Sequence, residues 1–120
     1  MRYLETTIDY SAAARTDKSV SHLGLRSVRG WLNPYNAEFI VARSNIQRRA
    51  GFVRSVGEIG VHHGKLFILL LLTAAENERA LAIDVFENQH LNTDRSGAGD
   101  RDAFLSNVRR VGPAAPGKPI

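Results

Sequence analysis

No cysteine occurs among the 120 residues, which excludes a disulfide framework, thiolate metal sites and thiol nucleophiles. Any metal would need histidine and carboxylate ligands. Nor is there a long hydrophobic run: the longest, Leu66 to Leu72, is too short to span a bilayer. The first thirty residues lack the order of charged, apolar and small residues that marks a signal peptide. These absences lead to the expectation of an intracellular, cytoplasmic protein with no membrane partner. Neither charge nor apolar content is extreme. Hydrophobic residues make up 43% and charged residues 23%, near globular averages, and a chain of this length holds one modest core.

What is present is uneven in charge. The net charge is +4, and residues 1–65 hold ten Lys/Arg against five acids, while residues 66–120 hold six against seven. The basic half is the face for a polyanion. Within it Arg43, Arg48, Arg49 and Arg54 fall in a window without an acid, enough to attract the phosphate oxygens of RNA or an acidic protein surface. The competing reading of that window is a solvated helix face.

Residues Leu4, Thr6, Ile8 and Tyr10 alternate with polar neighbours, the period of a half-buried strand, placed at 2–10. Lys18 to Leu32 fits either a helix, through Val20, Leu23, Ser27 and Trp31, or a strand leaving a loop. Asn33-Pro34 starts a helix over 34–50, with Phe39, Ala42, Ile46 and Val53 as its apolar face. The run from Lys65 to Thr73 reads as a buried strand, and the alternation of Leu81, Ile83 and Val85 as its antiparallel partner over 79–87. Asn88 to Gly99 is rich in loop formers. Asp100 or Asp102 caps a last helix over 101–111, with Phe104, Leu105, Val108 and Val111 as its stripe. The expected architecture is α+β: a small, mostly antiparallel sheet with two or three helices in one domain over 1–111, then a flexible tail over 112–120.

The most specific segment is Ala14 to Ser21, A-R-T-D-K-S-V-S. Asp17 lies between Arg15 and Lys18, and a carboxylate flanked by cations stays ionised at neutral pH and can act as a nucleophile. The octapeptide resembles the catalytic loop of the TruA-type tRNA pseudouridine synthases, written A-R-T-D-K-G-V-S-A in eukaryotic members. Ser19 replaces the usual glycine, and His22 stands where alanine is common. Phe39, Ser44, Arg48 and Arg49 are spaced like that family's F-x-A-R-x-S-A-x-x-R-x-Y-x-Y, with Ala50 and Phe52 at the tyrosine places. Phe104 to Gly112 is similar, with altered spacing, to its F-L-x-x-x-V-R-x-x-V-G.

The resemblance implies an RNA-associated protein that isomerises uridine, with Asp17 as nucleophile and Arg15 helping to displace the base. It implies no cofactor and no metal. Lys18, Arg43, Arg48, Arg49 and Arg54 would contact RNA. Family enzymes are about twice this length and enclose a cleft between two halves, so the resemblance implies a truncated or degenerate relative, one that a second copy could complete. Two alternatives stand beside it. One is a non-catalytic basic module that binds RNA or an acidic protein surface. The other is a small toxin-like ribonuclease, for which His62, His63 and Lys65 are the candidate cluster. In a strand the adjacent histidines would point to opposite faces and could not share a metal. Tyr3, Tyr10, Trp31 and Tyr35 read as core aromatics rather than base-stacking ones.

Overall fold

A computed structural model describes residues 7–11, 21–52, 55–75, 78–94 and 97–112. The order is β1 (Thr7–Ser11), α1 (Ser21–Arg26), α2 (Pro34–Arg49), β2 (Val56–Ile59), α3 (Lys65–Thr73), β3 (Arg79–Ile83) and α4 (Arg101–Val111), with a short 3-10 turn at Gln89–Leu91. The class is α+β. Among the described residues the sheet has three strands in the order β1-β3-β2. It is mixed: β1 runs antiparallel to β3, from Thr7 opposite Ile83 to Ser11 opposite Arg79, and β2 runs parallel to it, from Val56 opposite Ala80 to Ile59 opposite Ile83.

The expected hairpin is absent, because Lys65–Thr73 is a helix. A short, unbroken apolar run has no period that separates a buried strand from a buried helix. Its leucines favour the helix, whose straight or γ-branched side chains lose little freedom there. Phe67, Ile68, Leu69, Leu71 and Leu72 are all buried, the signature of a helix inside a core. The parallel partner of β3 is instead Val56–Ile59, where Gly57 and Gly60 obscure the alternation of a strand.

β3 is the central strand. Ala80 and Ala82 are completely buried, while Leu81 on the opposite face is partly exposed. Their small side chains let α3 lie close against the sheet, and α3 closes the core with Val28, Phe86, Phe104 and Val108. Two helix starts follow their expected chemistry. The Asn33 side chain accepts a hydrogen bond from the Tyr35 amide at 2.8 Å, with Pro34 in the first turn of α2, and Asp100 rather than Asp102 caps α4 by accepting from Ala103 at 2.9 Å.

The buried side of α2 is Ala37, Ile40 and Val41. The expected stripe through Phe39 and Ile46 is on the outside. Trp31 and Tyr35, read as core, are also exposed. No helix among the described residues is long and apolar enough to cross a membrane.

Candidate functional site

The parallel pair β2 and β3, joined through α3, brings the turn after β2 and the turn after β3 to the same end of the sheet. The first turn is Gly60-Val61-His62-His63-Gly64. The Gly60 amide extends the ladder by donating to the Ile83 carbonyl at 2.7 Å. Gly64 closes the turn, donating to Val61 at 2.8 Å, and caps α3 in the left-handed conformation at φ 94. That conformation is natural to glycine and costly for other residues.

Asp84, the residue after β3, ties the two turns together. One carboxylate oxygen accepts from the His62 amide and the other from the Phe86 amide, each at 2.8 Å. His62 and Phe86 are the two non-glycine residues with positive φ among the described residues, so Asp84 anchors the backbone where it is least relaxed. Gly99 lies against the same carboxylate: a Cβ there would be 2.8 Å from Oδ1, so the approach to α4 needs a glycine.

Glu58 is the second carboxylate. It sits on β2 opposite Ala82, and its buried Oε2 has no hydrogen-bond partner among the described residues. Burial, and secondarily the charge of Asp84, push its pKa up from 4.5 to about 7. A carboxyl protonated in the folded chain but ionised in the unfolded chain makes folding less favourable as pH rises. Stability from this group is therefore lost between about pH 4.5 and 7, by roughly 1–2 kcal/mol once discounted for partial contact with water. Glu58→Gln is expected to flatten that decline and to be more stable than the parent above pH 7. Urea midpoints from pH 4.5 to 8 check this, and parallel curves for the two proteins would contradict it.

Beside Asp84 is an aromatic wall. The His62 and His63 rings stack at 4.0 Å, and Trp31 tilts against His62 at 5.5 Å. The turn thus puts both histidines on one side, in contrast to the opposite faces expected of a strand. His63 titrates below the usual histidine range, through burial first and then the neighbouring His62. The His62 Nδ1 is buried without a partner among the described residues. A cavity of about 350 Å³ opens here, lined by Arg29, Gly30, Trp31, His62, Gly97 and Ala98. Among the described residues no three histidine or carboxylate groups converge as a metal site.

No protein-family model, curated protein or solved structure matches the chain.

Asp17, Arg15, Lys18 and Arg54 lie outside the described residues. Arg43, Arg48 and Arg49 share α2 but not one face, since each step along a helix turns about 100°. Arg43 and Arg49 are exposed. Arg48 turns inward, and its guanidinium donates to the carbonyl of Thr73 at the end of α3, where a cation satisfies an orphan acceptor and complements the helix dipole. It lines a second cavity, of about 300 Å³, with Ser44, Gln47, Phe52 and Glu78, at the opposite end of the sheet. Of the ribonuclease candidates, His62 and His63 meet in the turn that Lys65 follows. Sequence reasoning missed Glu58, Asp84 and Trp31 as site residues. The available signal was a short strand followed by two glycines four residues apart, then a strand ending on an acid.

Proposed function

We propose that the crevice at the carboxyl ends of β2 and β3 binds a nucleoside whose side arm is cationic rather than phosphorylated, S-adenosylmethionine being the type of ligand. The observation that carries this reading is the pair of Glu58, on β2, and Asp84, the residue after the parallel strand β3, placed around a glycine turn. Parallel strands joined by a helix take ligands at their carboxyl ends; that part of the reading is an analogy of architecture. The acids decide the ligand class. A pyrophosphate brought to this turn would meet two carboxyl groups, with Arg29 as the one offsetting cation among the described residues of the cavity lining, whereas ribose hydroxyls can donate to the lone pairs of Asp84 not used by the backbone. An ammonium or sulfonium is attracted to Glu58 once that group ionises. Trp31 and His62 supply aromatic faces for the base. Such a ligand, when bound, supplies an activated group for transfer; the chain's residues hold and orient it.

Calorimetric titration at pH 7 tests the proposal. S-adenosylmethionine and S-adenosylhomocysteine are expected to bind, with ATP and NAD at least about tenfold weaker. Binding should release a proton, because the ligand cation lowers the pKa of Glu58. Preferential binding of the phosphorylated nucleotides, or no binding of any, would overturn it.

A second reading rests on the octapeptide 14–21: an RNA-associated protein of the pseudouridine synthase type, with Asp17 as nucleophile beside Arg15. The exposed positions of Arg43 and Arg49 favour phosphate contact. In that case titration with RNA gives salt-sensitive binding, and uridine conversion disappears in Asp17→Asn. Absence of conversion in total RNA counts against it.

A further inference from the structure

Helix α2 is apolar on two opposite sides. Ala37, Ile40 and Val41 face the core, and about half a turn away Tyr35, Phe39, Ala42 and Ile46 recur at steps of four, three and four residues. This second stripe is open: Tyr35 is 80% exposed, Phe39 70% and Ile46 59%, and Phe52 just beyond the helix is 60% exposed. Scattered single apolar residues on a surface need no explanation, but a continuous helical seam of this kind marks an interaction surface.

We infer that this seam is the interface of a homodimer in which two α2 helices cross antiparallel at Ala42. Three features favour a second copy. The first is shape. With a twofold axis at Ala42, the smallest residue of the seam lies at the crossing, where helices approach most closely. Phe39 of each copy then comes opposite Ile46 of the other, and Tyr35 opposite Arg49. The second is charge. Glu38 and Arg49 flank the seam on the same side of the helix, and an antiparallel pair brings matching flanks together, so each Glu38 lies within reach of the other copy's Arg49. Both residues are exposed. The third is area. Two large aromatics at roughly 150 Å² each, together with Ile46, Phe52 and the stems of flanking side chains, amount to on the order of 600 Å² per copy. That is the lower end for specific pairs, so the dimer is expected to be weak and concentration-dependent.

The test uses the full chain in sedimentation equilibrium and light scattering, from a few to several hundred micromolar. The expected result is a concentration-dependent rise from 13.2 kDa to twice that mass. Phe39→Glu and Ala42→Arg, both at exposed positions, are expected to weaken association at least about tenfold while circular dichroism stays unchanged. Glu38→Arg should weaken it too, and adding Arg49→Glu to that variant should restore it. A chain that stays monomeric throughout the range overturns the inference. So does association insensitive to Phe39→Glu, or a monomer that captures only a different protein through this seam. Equal association of the single and double charge variants overturns the antiparallel pairing.

Discussion

Replacing Asp84 with alanine is expected to destabilise the fold by about 2–3 kcal/mol and to remove nucleoside binding at the same site. The stability loss follows from the two backbone amides that its carboxylate satisfies, those of His62 and Phe86. Both residues have positive φ, a conformation held by its surroundings rather than preferred. Without the acceptor these partly buried amides lose their partner, and the two turns lose the group that couples them. For a chain of this size that corresponds to a fall in Tm of roughly 8–12 °C. Asp84→Asn separates the two roles. Its single carbonyl can serve one amide but not both, so an intermediate stability is expected, with the charge gone. Loss of that charge also removes the secondary cause of the raised Glu58 pKa, which should move down while remaining above 4.5 through burial. Thermal denaturation and the pH dependence of the urea midpoint measure both effects. A change below about 0.5 kcal/mol in Asp84→Ala would show that the carboxylate does not hold the turns.

Much of this frame is legible in the sequence. Pro34 marks a helix start, to which Asn33 adds a side-chain cap, and of the two candidate caps Asp100 and Asp102 it is Asp100 that starts α4, all by chemistry that acts within three residues. The alternation over 79–87 likewise marks a strand, which runs over Arg79–Ile83 with odd and even residues in different surroundings and ends before Asp84. The failures have a common physical origin. Leu66–Leu72 and the outer stripe of α2 are both apolar, and hydrophobicity reports the wish to be buried, not the partner or the period. In α3 every side is covered, so no periodicity survives to reveal the helix. In α2 two stripes compete, and the one with the larger aromatics lost the core to Ala37, Ile40 and Val41. The site failed for a different reason. Glu58 and Asp84 are 26 positions apart and each is unremarkable alone; only the parallel register of β2 with β3, which sets Glu58 opposite Ala82, two residues before Asp84, brings them near each other. Arg48 illustrates the converse. Its place in a basic window pointed to RNA, yet its guanidinium is engaged at the end of α3.

The other large effect is expected from Gly64→Val, which should cost about 3–5 kcal/mol and displace the start of α3. Two independent penalties meet at this residue. Its φ of 94 lies in the left-handed region, and a Cβ built there would be 2.9 Å from Cδ2 of Phe104 and 3.2 Å from its Cε2. The ring cannot yield, because Phe104 is completely buried and is held by Phe67 and Phe86 at centroid distances of 5.4 and 5.7 Å. Gly64→Ala should show most of the clash without the β-branch, at about 2–3 kcal/mol. Gly51→Ala provides the control, since Gly51 also has a positive φ, 81, but nothing within 4 Å of the added Cβ. It should cost only about 1 kcal/mol, the conformational part alone. Chemical denaturation of the three variants gives the order directly. The clash is then isolated by a cycle with Phe104→Leu. If the ring is the obstacle, Gly64→Ala must cost less in the Phe104→Leu background than in the parent, and equal costs would leave backbone conformation as the whole explanation. The cycle bears on function because the same glycine sets where α3 begins. The position of His62 and His63 in the crevice depends on that close packing of the turn against α4.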